Sequence, residues 1–131
     1  MIGLDTNVLV RWLTGDSSDA AQLLKATAAI EAESEPVFLH DIVLVEACWV
    51  LSARYQHPRH TIANAFRKVL AQPGIRVDRP AAFFGALTGY ESGGAGLSDR
   101  LIGSRNVDVG CRTTLTFDKA AAKGPHFTQL M

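Results

Sequence analysis

Several features that commonly announce a function are scarce in this sequence. It has only 2 cysteines in 131 residues. Cys48 lies within an apolar run and Cys111 ahead of a β-branched one, so no disulfide framework is expected and both read as small core residues. Charge of either sign is not in excess, with 13 Lys and Arg against 13 Asp and Glu. The basic surplus typical of a nucleic-acid binder is therefore missing, which still leaves room for a local basic rim. The longest apolar stretch, PVFLHDIVLVEACWVLSA, is broken by His40, Asp41 and Glu46, which excludes a membrane-spanning helix. The N-terminus lacks the basic-then-apolar pattern of a secretion signal and carries an acid at its fifth position, so a cytoplasmic protein is expected. The glycine run GGAG has neither the Lys-Ser/Thr ending of a phosphate loop nor a strand-turn-helix setting. His57 and His60 in HPRH have no cysteine or third histidine nearby to complete a zinc site. No Ser-His-Asp or Cys-His arrangement points to covalent catalysis.

What remains is an ordinary globular composition, 47% hydrophobic and 20% charged, of a length suited to one domain over residues 1–131. Short apolar or β-branched runs alternate with longer helical ones. Strands are expected at residues 2–4, 36–39, 75–77, 112–117 and 126–130. Between them the spacing predicts helices at 8–13, within 15–33, at 40–55, 58–74 and 79–93, after Ser98 as cap, and a short one at 118–123. Asp41 is the expected N-cap of the third of these, and that helix is expected to be largely buried. The alternation implies an α/β protein with a parallel sheet covered on both faces. Sites in such sheets form beyond the carboxyl ends of the strands.

Acidic residues fall at those places. Asp5 directly follows the first strand, Asp118 directly follows TTLTF, and Asp99 opens the DRLIG helix. Glu46 is the only ionisable residue between Ile42 and Leu51, and the positions one turn away hold Ile42, Val43, Trp49 and Val50 rather than a cation. Asp99 and Asp118 each have a structural explanation in the N-terminal end of a helix. Asp5 and Glu46, in apolar surroundings, are harder to explain so, because an unpaired charge away from water costs several kcal/mol. Together these acids favour a shared cation, and carboxylate oxygens select Mg²⁺ or Mn²⁺. Thr6, Asn7 and Thr116 stand where they can hydrogen-bond the carboxylates or cap helices. Arg11, Arg54, Arg100, Arg105 and Lys119 flank the acidic motifs and are candidates for a basic rim. Trp12, Trp49 and Phe83 are core residues by default, with an interface as the other option.

The stretches MIGLDTNVLVRWL, VEACWVLSARY, LSDRLIGSRNVDVGC and TTLTFDKAAAK resemble, in this order, the motifs of PIN-domain ribonucleases, and most resemble the VapC-type toxins of bacterial toxin-antitoxin pairs. The resemblance implies a three-layer α/β/α domain with a mainly parallel five-stranded sheet and an acidic pocket for Mg²⁺ or Mn²⁺. It places the family's acids on Asp5, Glu46, Asp99 and Asp118, and its pocket hydroxyl on Thr6 or Thr116. It further implies hydrolysis of RNA by a metal-activated water, a homodimer, and a cognate antitoxin protein. One position departs from the pattern: Gly96 stands where the family often has an additional Asp. Two other readings fit less well. A receiver-like phospho-acceptor domain shares the strand-end Asp and Mg²⁺ but wants an acid pair beside the first strand and a late Lys. A catalytically silent PIN-like RNA-binding module would not keep all the acids.

Overall fold

The expected elements form in the expected order. A computed structural model describes residues 1–131, which pack as two compact units, Met1–Asp78 and Arg79–Met131.

In the first unit, β1 (Ile2–Gly3), β2 (Val37–Leu39) and β3 (Ile75–Val77) form a parallel sheet in the order β1-β2-β3. Ile2 lies opposite Val37, and Val37 opposite Ile75. The connections are helical, as parallel neighbours require: α1 (Thr6–Thr14) and α2 (Ala20–Glu31) before β2, then α3 (Asp41–Ala53) and α4 (Arg59–Leu70) before β3. α1 packs on α2, α3 and α4. Leu9, Leu39, Leu44, Ile62 and Phe66 are fully or almost fully enclosed and form the centre of this core. Asp19 caps α2, accepting from Gln22 N at 3.0 Å. α3 starts one residue earlier than its acid suggests: His40, not Asp41, is the cap, and its Nδ1 accepts from Ile42 N at 3.0 Å.

In the second unit, α5 (Pro80–Glu91) and α6 (Leu97–Asp108) pack against each other, and β4 (Thr114–Thr116) pairs in parallel with β5 (Phe127–Gln129) across α7 (Lys119–Ala122). Phe83, Leu87, Tyr90 and Leu97 are buried here. Proline opens α5, where its missing N–H is harmless. α6 begins at Gly96, whose backbone serves as cap without a side-chain bond; Ser98, expected in that role, lies inside the helix. Gly103 is held to glycine by contact, because a Cβ there would meet the Phe127 ring at 2.6 Å and His126 Cβ at 3.1 Å.

The α/β class and the parallel strands agree with the sequence reading. All five expected strands are present, and their hydrogen bonds divide them into a sheet of three and a sheet of two, each within its own unit. The strands are only two or three residues long. Cys48 is buried as expected, whereas Cys111 is exposed.

Candidate active site

Asp5 leaves β1 and becomes the N-cap of α1, in extended conformation (φ −81°, ψ 163°), with its Oδ1 accepting from Thr6 N at 2.8 Å. This single bond fixes the carboxylate at the mouth of the helix. Thr6 Oγ1 donates in turn to Glu46 Oε1, at 3.4 Å. Because α1 packs on α3, one threonine connects acids 41 positions apart in sequence. Neither carboxylate has a Lys, Arg or His partner. Both are exposed, and the structure buries no charged residue at all. This corrects the expectation that they lie in apolar surroundings. The sequence misleads because α3 is apolar on its outward face too: Ile42 is 63% and Trp49 64% exposed, while Leu44, Ala47, Cys48 and Leu51 face the core. α3 is therefore only half buried, and Trp49 is not a core residue. Phe83 is one, and Trp12 is partly covered.

Asp5 and Glu46 line a cleft of about 510 Å³ between α1 and α3. Thr6 and Asn7 share their end of it, and Arg11, Arg54 and Tyr55 line the other. Asn7 makes no hydrogen bond through its side chain. Arg11 Nη1 donates to Ser18 Oγ at 3.0 Å and lies 3.7 Å from Asp16 Oδ2. The Tyr55 hydroxyl donates to the same Asp16 oxygen. That bond, with further donation from Ser18, holds the Asp16 carboxyl below its ordinary pKa. It also raises the Tyr55 hydroxyl above its own, with burial a smaller contributor. Asp16 reads as a plain turn residue in the sequence, since neither Tyr55 nor Arg11 is its neighbour at helical or strand spacing.

In the second unit, Asp99 is in the first turn of α6 and makes no hydrogen bond or ion pair. Asp118 caps α7, its Oδ1 accepting from Ala121 N at 2.9 Å. Thr116 Oγ1 accepts from Asp118 N at 3.0 Å, so it fixes the backbone of the acid rather than its carboxylate. Arg100 is turned onto the glycine run, donating to Gly93 O at 2.7 Å and Ala95 O at 3.2 Å. Arg105 and Lys119 are exposed. Neither unit by itself gathers three acidic, His or Cys side chains closely enough to hold a metal.

The PIN domain family matches residues 2–123 of the sequence, a span that runs from before Asp5 to beyond Asp118. The chain belongs to the PIN-domain family, a family of nucleases. Among solved structures it is similar to VapC20 of Mycobacterium tuberculosis, a toxin that cleaves the sarcin-ricin loop, at 17% identity over 95% of each chain with a TM-score of 0.45. No curated protein matches the sequence.

Proposed function

We propose that this protein is a Mg²⁺- or Mn²⁺-dependent endoribonuclease of the VapC type, the toxin of a toxin-antitoxin pair, with all of residues 1–131 as one PIN domain. The observation that carries the reading is the Asp5-Thr6-Glu46 constellation: exposed carboxylates with no cation of the protein's own, tied through one threonine at the end of a cleft. A carboxylate set left without a counter-ion suits an external cation, and all its donors are hard oxygens that fit Mg²⁺ or Mn²⁺. Asp99, equally without a partner, and Asp118 are assigned to the same function, which the family match across both units supports. When bound, a divalent ion supplies polarisation of the scissile phosphate and a water of lowered pKa.

The chain's own groups have separate tasks. Thr6 N–H holds the Asp5 rotamer and Thr6 Oγ1 orients Glu46, the support that ligating carboxylates commonly need. The arginines at the far end of the cleft attract the RNA backbone. Ile42, Glu46 and Trp49 lie on one exposed stripe of α3, at helical spacing. An apolar stripe around an acid suits a protein partner that covers the site, which supports an antitoxin, and exposed apolar area also suits a homodimer.

The test is cleavage of structured RNA by the purified protein with Mg²⁺ or Mn²⁺, compared with Asp5→Asn. Asn caps a helix as well as Asp does, so the variant keeps the fold and loses the charge. Cleavage by the wild type and none by the variant is the expected result. Equal cleavage by both overturns the assignment.

A further inference from the structure

The basic end of the cleft is built, not merely charged. Arg11 is six positions after Asp5 and Arg54 eight after Glu46, so at 1.5 Å per residue they stand about 9 and 12 Å along their helices from the acids. α1 and α3 run side by side in the same direction, Thr6 at the start of α1 meeting Glu46 in the middle of α3. Near their ends, Asp16, just beyond α1, joins Arg11 to Tyr55, just beyond α3. Gly15, left-handed at φ 61°, turns the chain so that Asp16 meets both. Asp16 N donates to Thr14 Oγ1 at 3.1 Å and Ser18 N donates to Asp16 Oδ1 at 2.9 Å, which fixes the loop. On the α3 side, Tyr55 stacks on His57 with rings 6° from parallel. Arg54, between α3 and this anchored tyrosine, lines the cleft and has no carboxylate partner.

We propose that Asp16 and Tyr55 are positioning residues, Asp16 for Arg11 and Tyr55 for its chain neighbour Arg54, and that the two arginines form a subsite for an RNA backbone phosphate flanking the scissile one at the acidic end of the cleft. This rests on the ribonuclease reading and adds to it a direction for the strand, from the acids along α1 and α3. Arg11 keeps one guanidinium face on Asp16 and Ser18, which aims it. Arg54 supplies the uncompensated charge. Tyr55 contributes nothing to the bond being cleaved and acts only through the groups it anchors.

The experiment measures binding and turnover separately. A short fluorescein-labelled single-stranded RNA is titrated, without divalent ions, against wild type, Arg54→Ala, Arg54→Lys, Tyr55→Phe and a Lys25→Ala control, at several salt concentrations. Cleavage by each is then followed with Mn²⁺. One phosphate contact contributes about 0.7 to the slope of log affinity against log salt for single strands. Arg54→Ala is expected to lose about that much slope, with Arg54→Lys restoring it. Tyr55→Phe is expected to raise KM roughly threefold to tenfold with kcat within about twofold of wild type, the signature of lost ground-state binding. A general loss of folded protein would lower amplitude without altering the salt slope. Wild-type slope in Arg54→Ala, or wild-type KM in Tyr55→Phe, overturns the subsite and leaves the ribonuclease reading intact. Wild type that binds RNA but never cleaves it overturns the ribonuclease reading, while the salt slopes still decide the subsite. Wild type that does not bind RNA overturns the subsite as well.

Discussion

Replacing Glu46 with alanine separates a working residue from a structural one. Glu46 is exposed in the middle of α3 and makes one hydrogen bond, from Thr6 Oγ1 at 3.4 Å, with no ion pair. A bond that long between solvent-facing groups contributes less than about 0.5 kcal/mol. Alanine has the higher helix propensity, by up to a few tenths of a kcal/mol in a helix interior. The balance for Glu46→Ala is therefore within about 0.5 kcal/mol of zero, which in a domain of this size moves Tm by less than roughly 3 °C. On the proposed role as a cation ligand, cleavage should fall by at least about tenfold to a hundredfold, the cost of losing even an outer partner of a metal site. Scanning calorimetry without divalent ions gives the first quantity, and initial rates on a structured RNA with Mn²⁺ give the second. A Tm lowered by more than about 5 °C would show that Glu46 stabilises the fold in a way its exposure does not reveal. Unchanged cleavage would remove it from the site.

Gly103→Ala puts a Cβ 2.6 Å from the Phe127 ring and 3.1 Å from His126 Cβ; α6 and β5 must then separate, at a cost of about 1–3 kcal/mol, measurable by urea unfolding, and a neutral result would show that Phe127 can rotate away. The Asp16–Tyr55 bond has a two-sided pH signature. Asp16 is held below its ordinary value, chiefly by the Tyr55 hydroxyl, so its contribution is complete above an unfolded pKa of about 3.9 and is lost as pH falls through the folded value. Tyr55 is raised, chiefly by its bond to Asp16, so its contribution is complete below about pH 10 and is lost as pH rises through the folded value. The Tm difference between wild type and Tyr55→Phe should be flat between about pH 5 and 9 and shrink on both sides; a difference independent of pH across the whole range would show that the hydroxyl and carboxylate do not interact.

The secondary structure was legible because each element carries its own local signal. Asp19 caps α2, Pro80 opens α5 and Gly74 sits in the turn before β3, and none of these depends on the rest of the chain. What local signals do not carry is which strands share a sheet, since parallel partners are chosen by distant segments. The α3 helix shows a different failure. Its mean composition is apolar enough to suggest burial, but the outward residues Ile42 and Trp49 are as apolar as the inward Leu44 and Leu51. A run that is hydrophobic on both faces gives no period from which to read its orientation, and the burial inferred for Glu46 failed with it.

The reason for singling out Glu46 outlasts the mistaken premise. Glu46 stood out because no cation lies one turn away, and this remains true in three dimensions: no basic group pairs with it or with Asp5. Water removes the penalty that burial would have imposed, so the lack of a counter-ion is no strain on the folded chain. On the proposed reading it leaves their oxygens open to an external cation, with the nearest arginines a turn or more along α1 and α3. Arg11 is further restrained by Asp16, whose carboxylate also accepts from the Tyr55 hydroxyl. An arginine free to swing onto Glu46 would neutralise the acid and compete with a divalent ion for its oxygens. In the proposed subsite the Asp16–Tyr55 bond thus keeps Arg11 at its own end of the cleft and presents it to the strand, so its removal should weaken RNA affinity and leave the acids as they are.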